Sequence, residues 1–207
     1  MQKAFCGGMD IHTATAAQVF ATDMASVTPL QRRHAKAVNF GIVYGISGFG
    51  LARNAGLSRK EADRFIQTYF ERYPGVRAFM DECVKKGNET GYAQTMHGRR
   101  RELYELRSQN RNVRNFGERA AMNTPVQGTA ADIIKLAMVS VSRRLREEGC
   151  RARLILQVHD ELIVEAEESQ AEAVCRIVKE EMENAAQMNV RLTADVHSGK
   201  SWYEAKD

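Results

Sequence analysis

The sequence lacks several features that mark specialised classes of protein. Among its 207 residues, no apolar run approaches the roughly 20 residues that a helix needs to cross a bilayer. The start of the chain has no apolar stretch typical of a signal peptide. The four cysteines, at positions 6, 83, 150 and 175, form no C-x-x-C pair, so neither a disulfide framework nor a zinc site is indicated. We therefore expect a soluble protein of a reducing compartment.

Positive charge is concentrated in one arginine-rich stretch. The chain is 43% hydrophobic and 27% charged, with a formal net charge of +4, which permits a core and only mildly favours a polyanionic partner. The stretch contains Arg99, Arg100, Arg101, Arg107, Arg111, Arg114 and Arg119. Guanidinium groups bind phosphates and base edges in a bidentate manner, which favours a nucleic-acid partner. A solvated face explains the stretch equally well.

Helical periodicity and helix-end signals predict an α+β chain that is mostly helical. Asp10, Thr28 and Ser58 are the expected N-caps of helices that end near residues 20, 43 and 73. Further helices are expected over 75–90 and over 169–188. Another is expected over 118–148, where Thr124-Pro125 and Gly128 should bend the helix or break its first turns. Hairpins are expected at 92–104 and 154–165, and a final strand at 192–196. Because helices dominate the first half and strands the second, two subdomains meeting near residue 118 are expected.

The first candidate site is a helical stripe. Arg32, Lys36 and Phe40 recur every four residues, so they share one helix face, and Tyr44 follows one turn later. Two cations one turn apart fit a polyphosphate, and the aromatic side chains are suited to packing on a sugar or a base. The alternative is an amphipathic helix whose basic side only faces water.

The second candidate site is the polar tripeptide His159-Asp160-Glu161 between two apolar strands, 154–158 and 162–165. The strands look buried, and no glycine or asparagine eases the turn, which indicates a functional reason for its polarity. Carboxylates at such a position suit Mg²⁺, which prefers one or two of them together with substrate phosphates. A solvated loop is the alternative.

A third candidate is the polar stripe formed by Arg119, Asn123 and Gln127, again four residues apart. These three residue types read hydrogen-bond acceptors on base edges. The competing interpretation is that they satisfy the backbone of a helix broken at Pro125.

Taken together and in order, the three motifs resemble family A DNA polymerases. The run R-R-x-x-K-x-x-N-F-G-x-x-Y-G from Arg32 resembles motif B, Q-V-H-D-E-L from Gln157 resembles motif C, and E-R-A-A-x-N-x-P-x-Q-G-T-A-A-D from Glu118 resembles the helix between them. The resemblance covers essentially the whole chain and is strongest to the bacterial, polymerase I type. It implies a right-hand polymerase fold, with fingers over 1–118 and a partial palm over 119–207, in the cytoplasm near the nucleoid.

The resemblance also implies a role for each candidate residue. Partners would be deoxynucleoside triphosphates and primer–template DNA, and the cofactor would be Mg²⁺, two ions in the complete enzyme. The implied nucleotide-binding residues are His12, Arg32, Lys36, Phe40 and Tyr44. The implied DNA-binding residues are Arg119, Asn123 and Gln127. The implied catalytic residues are Asp160, which would bind metal, together with Glu161, His159 and Lys36.

One departure from the family pattern is large. Motif A, which ends in D-Y-S-x-I-E-L-R and supplies the other metal-binding aspartate, does not occur in the chain. We therefore expect a fragment that is inactive by itself, and a dimer or larger species formed through surfaces that the missing strand would cover. The alternative function is a non-catalytic module that binds nucleotide and DNA.

Overall fold

The computed structural model describes residues 2–205, and for Lys3 it describes only the backbone. The chain forms two compact units, one up to Thr129 and one from Ala130. The helices are α1 (Gln2–Cys6), α2 (Ile11–Phe20), α3 (Pro29–Val43), α4 (Gly48–Ala55), α5 (Arg59–Arg72), α6 (Pro74–Thr90), α7 (Arg111–Asn123), α8 (Thr129–Glu147), α9 (Ala171–Glu183) and α10 (Trp202–Ala205). The strands are β1 (Tyr92–Gln94), β2 (Arg100–Glu102), β3 (Ala152–Val158) and β4 (Glu161–Ala166). β1 pairs with β2 and β3 with β4, both antiparallel. The expected α+β class, predominantly helical, is confirmed.

The helices of the first unit begin where the sequence provides caps. The Asp10 side chain accepts a hydrogen bond from the backbone N–H of His12, at the start of α2. Thr28 and Ser58 each form a complete capping box, the former with Gln31 and the latter with Glu61. Such caps satisfy backbone donors that the first helical turn leaves open. The boundaries of α2, α3 and α5 therefore match the expected ones closely.

The inner face of α3 determines which side chains it leaves outside. Ala35, Val38 and Ile42 are almost fully buried and belong to a core shared with α4 and α5. These positions follow the 3–4 residue spacing of one helix face. Arg32, Lys36 and Phe40 lie off that face, and all three are exposed. Helical periodicity thus presents the basic stripe to solvent.

A π-helical turn, Thr124–Gly128, separates α7 from α8. Pro125 has no N–H to donate, so the regular helical ladder is interrupted there. The Thr129 hydroxyl donates to the Pro125 carbonyl and accepts from the Met96 N–H. The Arg99 guanidinium donates to the Gly128 carbonyl over 2.8 Å. The helix expected over 118–148 is thus interrupted at Thr124-Pro125, and the β1–β2 connection contacts the interruption.

The second unit packs one side of the β3–β4 hairpin on α8 and α9. Its core consists of Val141, Leu145, Val174, Ile177 and Val178. Ala152, Leu162, Val164 and Ala166 pack against this core from the strands. The expected burial of the strands is only partly correct, because Ile155 and Leu156 are 53% and 46% exposed next to an irregularity in the pairing.

One predicted strand and two predicted helix ends were wrong. Residues 192–196 form no strand. The Ala194 N–H donates to the Glu183 carboxylate, so a side chain provides the acceptor that a neighbouring strand would have provided. The helix expected to reach residue 188 ends at Glu183. α7 begins at Arg111, earlier than expected, because the Asn110 side chain caps it by accepting from the N–H groups of the next turn.

Among residues 2–205, no helix is both long enough and apolar enough to span a membrane.

Candidate functional site

The outer face of α3 presents a cation, a second cation and an aromatic ring in succession. Lys36 Nζ lies 6.0 Å from the centroid of the Phe40 ring. Phe40 is 53% exposed, so a face of its ring is open to a partner. The surface thus combines positive charge for an anion with an open ring face for an apolar group.

Asp10 ties the start of α2 to this face. Its Oδ2 lies 2.6 Å from Arg32 Nε, while its Oδ1 accepts from the His12 N–H. The Arg32 guanidinium, with help from the Thr13 hydroxyl, holds the pKa of the Asp10 carboxyl far below its usual range. Because the Asp10 carboxylate contacts Arg32 through Nε, the Nη groups of the guanidinium can donate to another acceptor.

His12 adds a ring to the same surface. Its centroid lies 5.8 Å from that of Phe40, and its Nδ1 lies 3.1 Å from Asn39 Nδ2. Burial lowers the pKa of the His12 imidazole, and the charges of Arg32 and Lys36 lower it further, against the opposite effect of Asp10. His12 is therefore neutral at pH 7 and offers a single N–H.

The C-terminal end of α3 meets the polar stripe of α7 and the π-helical turn. Gln127 Nε2 donates to the Tyr44 hydroxyl over 2.6 Å, and Asn123 Nδ2 donates to the Val43 carbonyl over 3.3 Å. Gly45 has a left-handed φ of 64°. A Cβ there would come within 2.8 Å of Arg119 Cγ. Two of the motifs singled out in the sequence therefore come together in the first unit.

The arginine-rich stretch is only in part a solvated face. Arg100 stacks over the Tyr92 ring at 4.4 Å, and Arg119 lies 6.0 Å from the Phe116 ring. Arg114 donates to the Ser108 carbonyl. Arg101 is exposed on β2. Several guanidinium groups thus have local structural contacts as well as positive charge.

The motif C tripeptide forms the tight turn of the hairpin in the second unit. Val158 pairs with Glu161, which leaves His159 and Asp160 as the two turn residues. His159 has φ 53°, a left-handed conformation that is uncommon for residues other than glycine. The Gln157 side chain donates to the His159 carbonyl over 2.6 Å and so fastens the turn. His159, Asp160 and Glu161 are all exposed.

The donor set at this turn fits one part of a magnesium site. Within residues 2–205 no group of three or more His, Cys, Asp or Glu side chains has the arrangement of a metal centre. Mg²⁺ in nucleotide-dependent enzymes needs only one or two protein carboxylates, because water and phosphates supply the other oxygens. The adjacent, exposed carboxylates of Asp160 and Glu161 meet that requirement.

Sequence reasoning missed two contributors to the site. Asp10 was expected only as a helix cap, and its ion pair with Arg32 joins residues 22 positions apart. Asn39 was not singled out, although it bonds both His12 and Thr15. Neither contact has a signal in local spacing, because each depends on how α2 packs against α3.

Comparison with known proteins gives consistent matches over the whole chain. The model of the DNA polymerase family A matches residues 1–204. DNA polymerase I of Bacillus caldotenax is 53% identical over 206 residues, which cover 100% of this chain and 24% of that protein. DNA polymerase I of Bacillus subtilis is 52% identical over 204 residues, 99% of this chain and 23% of that protein. The chain thus spans about a quarter of the length of these curated relatives.

A solved structure matches the fold equally well. The POL domain of Pol1 from M. smegmatis, in a complex with DNA primer-template and dNTP, superposes with a TM-score of 0.94 at 42% sequence identity. The match covers 100% of this chain and 36% of that one. The resemblance seen in the motifs is thereby confirmed, and the chain belongs to DNA polymerase family A.

Proposed function

We propose that this chain carries the nucleotide-binding surface and part of the catalytic centre of a template-directed DNA polymerase. The observation that carries the proposal is that α3 and its C-cap are joined to polar groups of other elements along their length. Asp10 pairs with Arg32 near the start of the helix, and His12 contacts Asn39 further along. At the end, Asn123 donates to the Val43 carbonyl and Gln127 to the Tyr44 hydroxyl. Support also comes from the M. smegmatis domain, whose complex contains primer-template and dNTP. Fingers over 1–118 and a partial palm over 119–207 remain part of this proposal.

The triphosphate of the incoming nucleotide lies along α3 in this proposal. Arg32 and Lys36 are one helical turn apart, so their cations pair with successive phosphates. His12 donates its N–H to a phosphate oxygen beside them. Phe40, whose exposed ring follows the cations, packs on the deoxyribose. Tyr44 lies one turn beyond, near the templating base.

The stripe Arg119, Asn123 and Gln127 contacts DNA. Arg119 and Gln127 donate to the minor-groove acceptors N3 and O2, which correct base pairs share. Asn123 lies on the template side of the new pair. Gln127 donates to the Tyr44 hydroxyl in the structure, so DNA binding exchanges this hydrogen bond for one to a base edge.

The chemistry is attack of the primer 3′-hydroxyl on the α-phosphate, with pyrophosphate as the leaving group. Asp160 would hold Mg²⁺, two ions in the complete enzyme, and such ions stabilise charge on the attacking and leaving oxygens. Glu161 and His159 flank the primer terminus from the same turn. Lys36 and Arg32 balance the charge that develops on pyrophosphate.

The isolated chain is expected to extend primers poorly or not at all, because Asp160 is the only metal-binding aspartate of the family motifs that its sequence contains. We also propose self-association of the isolated chain at high concentration. Val139 is 67% exposed in the second unit, where Ile155 and Leu156 are exposed as well. Light scattering that finds a monomer at high concentration would contradict this part. Primed DNA in the bacterial nucleoid is the proposed location.

The decisive test measures DNA synthesis and binding together. The chain is combined in trans with the polypeptide that precedes the matched segment in a relative. Extension of a labelled primer is then followed with Mg²⁺ and four deoxynucleotides. Asp160→Ala is expected to abolish extension, while Asp195→Ala, an exposed aspartate of the same unit, leaves it unchanged. Extension that survives Asp160→Ala would refute the motif C assignment.

Binding by the chain alone separates the proposal from its alternative. A polymerase segment binds primer–template more tightly when the correct nucleotide and Mg²⁺ are present, and Asp160→Ala removes that enhancement. A non-catalytic binding module would show affinity indifferent to Mg²⁺ and to Asp160→Ala.

A further inference from the structure

The Thr129 hydroxyl replaces a backbone donor at the π-helical turn Thr124–Gly128. In a regular α-helix the N–H of residue 129 would donate to the carbonyl of Pro125, four residues earlier. Here that N–H donates to the Val126 carbonyl. The Thr129 hydroxyl donates to the Pro125 carbonyl instead, so this acceptor stays satisfied although the regular ladder is interrupted.

The β1–β2 connection supports this hydroxyl. Thr129 is buried, and its hydroxyl oxygen accepts the Met96 N–H over 2.9 Å. The methyl group of the buried Thr95 lies 2.6 Å from the position that a Cβ on Gly128 would take, so only glycine admits the connection at this distance. The Thr129 hydroxyl thus accepts from one element and donates to another, and it links the connection to the turn.

The π-helical turn also changes the direction in which Gln127 points. In an α-helix of about 3.6 residues per turn, a step of four residues passes a full turn by about 40°, so Asn123 lies that far round the axis from Arg119. Helices with i→i+3 bonds have about 3.0 residues per turn, so the wider i→i+5 turn has somewhat more than about four. The step from Asn123 to Gln127 therefore stops short of a full turn and brings Gln127 back toward the direction of Arg119.

The contacts of these three side chains agree with a shared direction. Asn123 donates to the Val43 carbonyl and Gln127 to the Tyr44 hydroxyl. Arg119 Cγ lies 2.8 Å from the position of a Cβ on the glycine that follows, so the stripe meets three consecutive residues. A continued α-helix would carry Gln127 about 80° round the axis from Arg119 and away from this common surface.

We infer that Thr129 is a positioning residue, whose hydroxyl stabilises the π-helical turn and thereby directs Gln127 to the same minor groove as Arg119. The inference rests on the proposed function, since that function provides the DNA. Without the hydroxyl, the N–H of residue 129 returns to the Pro125 carbonyl and the turn tightens toward an α-helix. Gln127 then turns away from the groove, so one base-edge contact is lost while the basic surface is unchanged.

Thr129→Val tests the inference because valine has a similar shape and lacks the hydroxyl. Thr129→Ser retains the hydroxyl and is expected to behave as the unsubstituted chain does. Thr124→Val is the matched control: the buried Thr124 hydroxyl belongs to the same turn and, within residues 2–205, has no hydrogen-bond partner. Thr129→Cys, which keeps a weak donor, carries the test if the valine variant does not fold.

The first readout is the nuclear Overhauser contact between the Gln127 side-chain amide and the Tyr44 ring, recorded on the whole chain without DNA. The amide resonances are assigned by their loss in Gln127→Ala. We expect the contact in the unsubstituted chain, in Thr129→Ser and in Thr124→Val. We expect its loss in Thr129→Val and its weakening in Thr129→Cys.

The second readout is the ratio of affinities for two primer–templates, one normal and one with 3-deazaguanine in the terminal base pair. The analogue replaces N3 by C–H, so it removes a minor-groove acceptor and keeps the Watson–Crick edge. It is placed in either strand, and Gln127→Ala identifies the strand that Gln127 contacts. There we expect the analogue to weaken binding about fivefold in the unsubstituted chain, which corresponds to one hydrogen bond.

The same ratio is expected to remain about fivefold in Thr129→Ser and Thr124→Val. In Thr129→Val it should fall to about one, and in Thr129→Cys to about two. Because each variant is compared with itself on two duplexes, a general loss of stability or affinity cancels.

The outcomes distinguish this inference from the proposed function. A ratio of about five and an intact Gln127–Tyr44 contact in Thr129→Val overturn the role of Thr129 and leave the DNA contact standing. Equal loss in Thr124→Val also overturns it, because any change in the turn would then suffice. Equal affinity of the unsubstituted chain for both duplexes, in either strand, overturns the proposed minor-groove contact itself. Loss confined to the Thr129→Val and Thr129→Cys variants supports both.

Discussion

Asp10 shows how one short side chain organises the candidate nucleotide site. It caps α2 through the His12 N–H and pairs with Arg32 on α3. The cap was expected from the sequence, because Asp before an apolar helix start is a local signal. The ion pair was not, since it depends on tertiary packing between two helices. At this scale the sequence predicts local hydrogen bonds such as helix caps, and it does not predict contacts between residues far apart in the chain.

Asp10→Asn is expected to reduce stability at pH 7 while keeping the helix cap, because asparagine caps helices equally well. The pKa of Asp10 is lowered in the folded chain, so its contribution is present above the ordinary carboxyl pKa of about 3.9 and is lost as pH falls toward the folded value. The difference in unfolding temperature from the unsubstituted chain should therefore shrink below about pH 4. Solvent exposure of the pair keeps the effect small.

Thermal unfolding across this pH range provides the check for Asp10→Asn. Asp23→Asn is the control, because Asp23 makes no side-chain cap hydrogen bond. A difference that persists unchanged at low pH would show that the Asp10 carboxylate charge does not stabilise the fold.

At the scale of elements, helices were predicted better than strands. α2, α3 and α5 begin at capping residues that the sequence predicts. The strand expected at 192–196 failed, because alternating apolar residues form a strand only where a partner supplies hydrogen bonds, and here Glu183 binds Ala194. An irregularity at Pro125 was expected, but its π-helical form and its contacts with the β1–β2 connection were not.

Arg99→Met should destabilise the π-helical turn Thr124–Gly128, which the Arg99 side chain contacts. The substitution removes the hydrogen bond to the Gly128 carbonyl while it keeps much of the apolar stem, so we expect the free energy of unfolding to fall by about 1 kcal/mol. Because Gln127 precedes Gly128, affinity for primer–template should fall as well.

Urea unfolding and fluorescence anisotropy with a labelled primer–template measure the two effects of Arg99→Met. Arg101→Met is the matched control, since Arg101 is exposed on the neighbouring strand. Equal losses in the two variants would mean that charge, rather than support of the turn, explains the result.

The whole molecule was predicted mainly through its motifs. Each stripe considered alone had a plausible structural explanation, and their order along the chain indicated the family. The contacts of Val43 and Tyr44 with Asn123 and Gln127 show that two of these motifs, far apart in the sequence, fold into one surface. Composition alone, with a net charge of +4, would not have distinguished a polymerase from many other basic proteins.

Primer–template binding should depend steeply on salt. Cations on the chain displace counterions from the DNA, so the logarithm of the affinity falls linearly with that of salt, by about 0.9 for each phosphate contacted on a duplex. Anisotropy titrations from low to moderate potassium chloride give the slope and hence the number of phosphates. Asp160→Ala should leave this slope unchanged, because Asp160 bears no positive charge. A slope near zero would argue against backbone contacts altogether.

Under the proposed function, the left-handed backbone of His159 sets heat resistance against accurate placement of His159 and Asp160. A residue with a Cβ in that conformation costs free energy, so His159→Gly should raise stability by up to about 1 kcal/mol, measurable by urea unfolding. In the proposed function, the same change also removes a side chain that flanks the primer terminus and loosens the backbone next to Asp160, the proposed metal ligand. Selection for resistance to heat alone would therefore favour variants such as His159→Gly, which we expect to synthesise DNA poorly. Selection for DNA synthesis would retain His159.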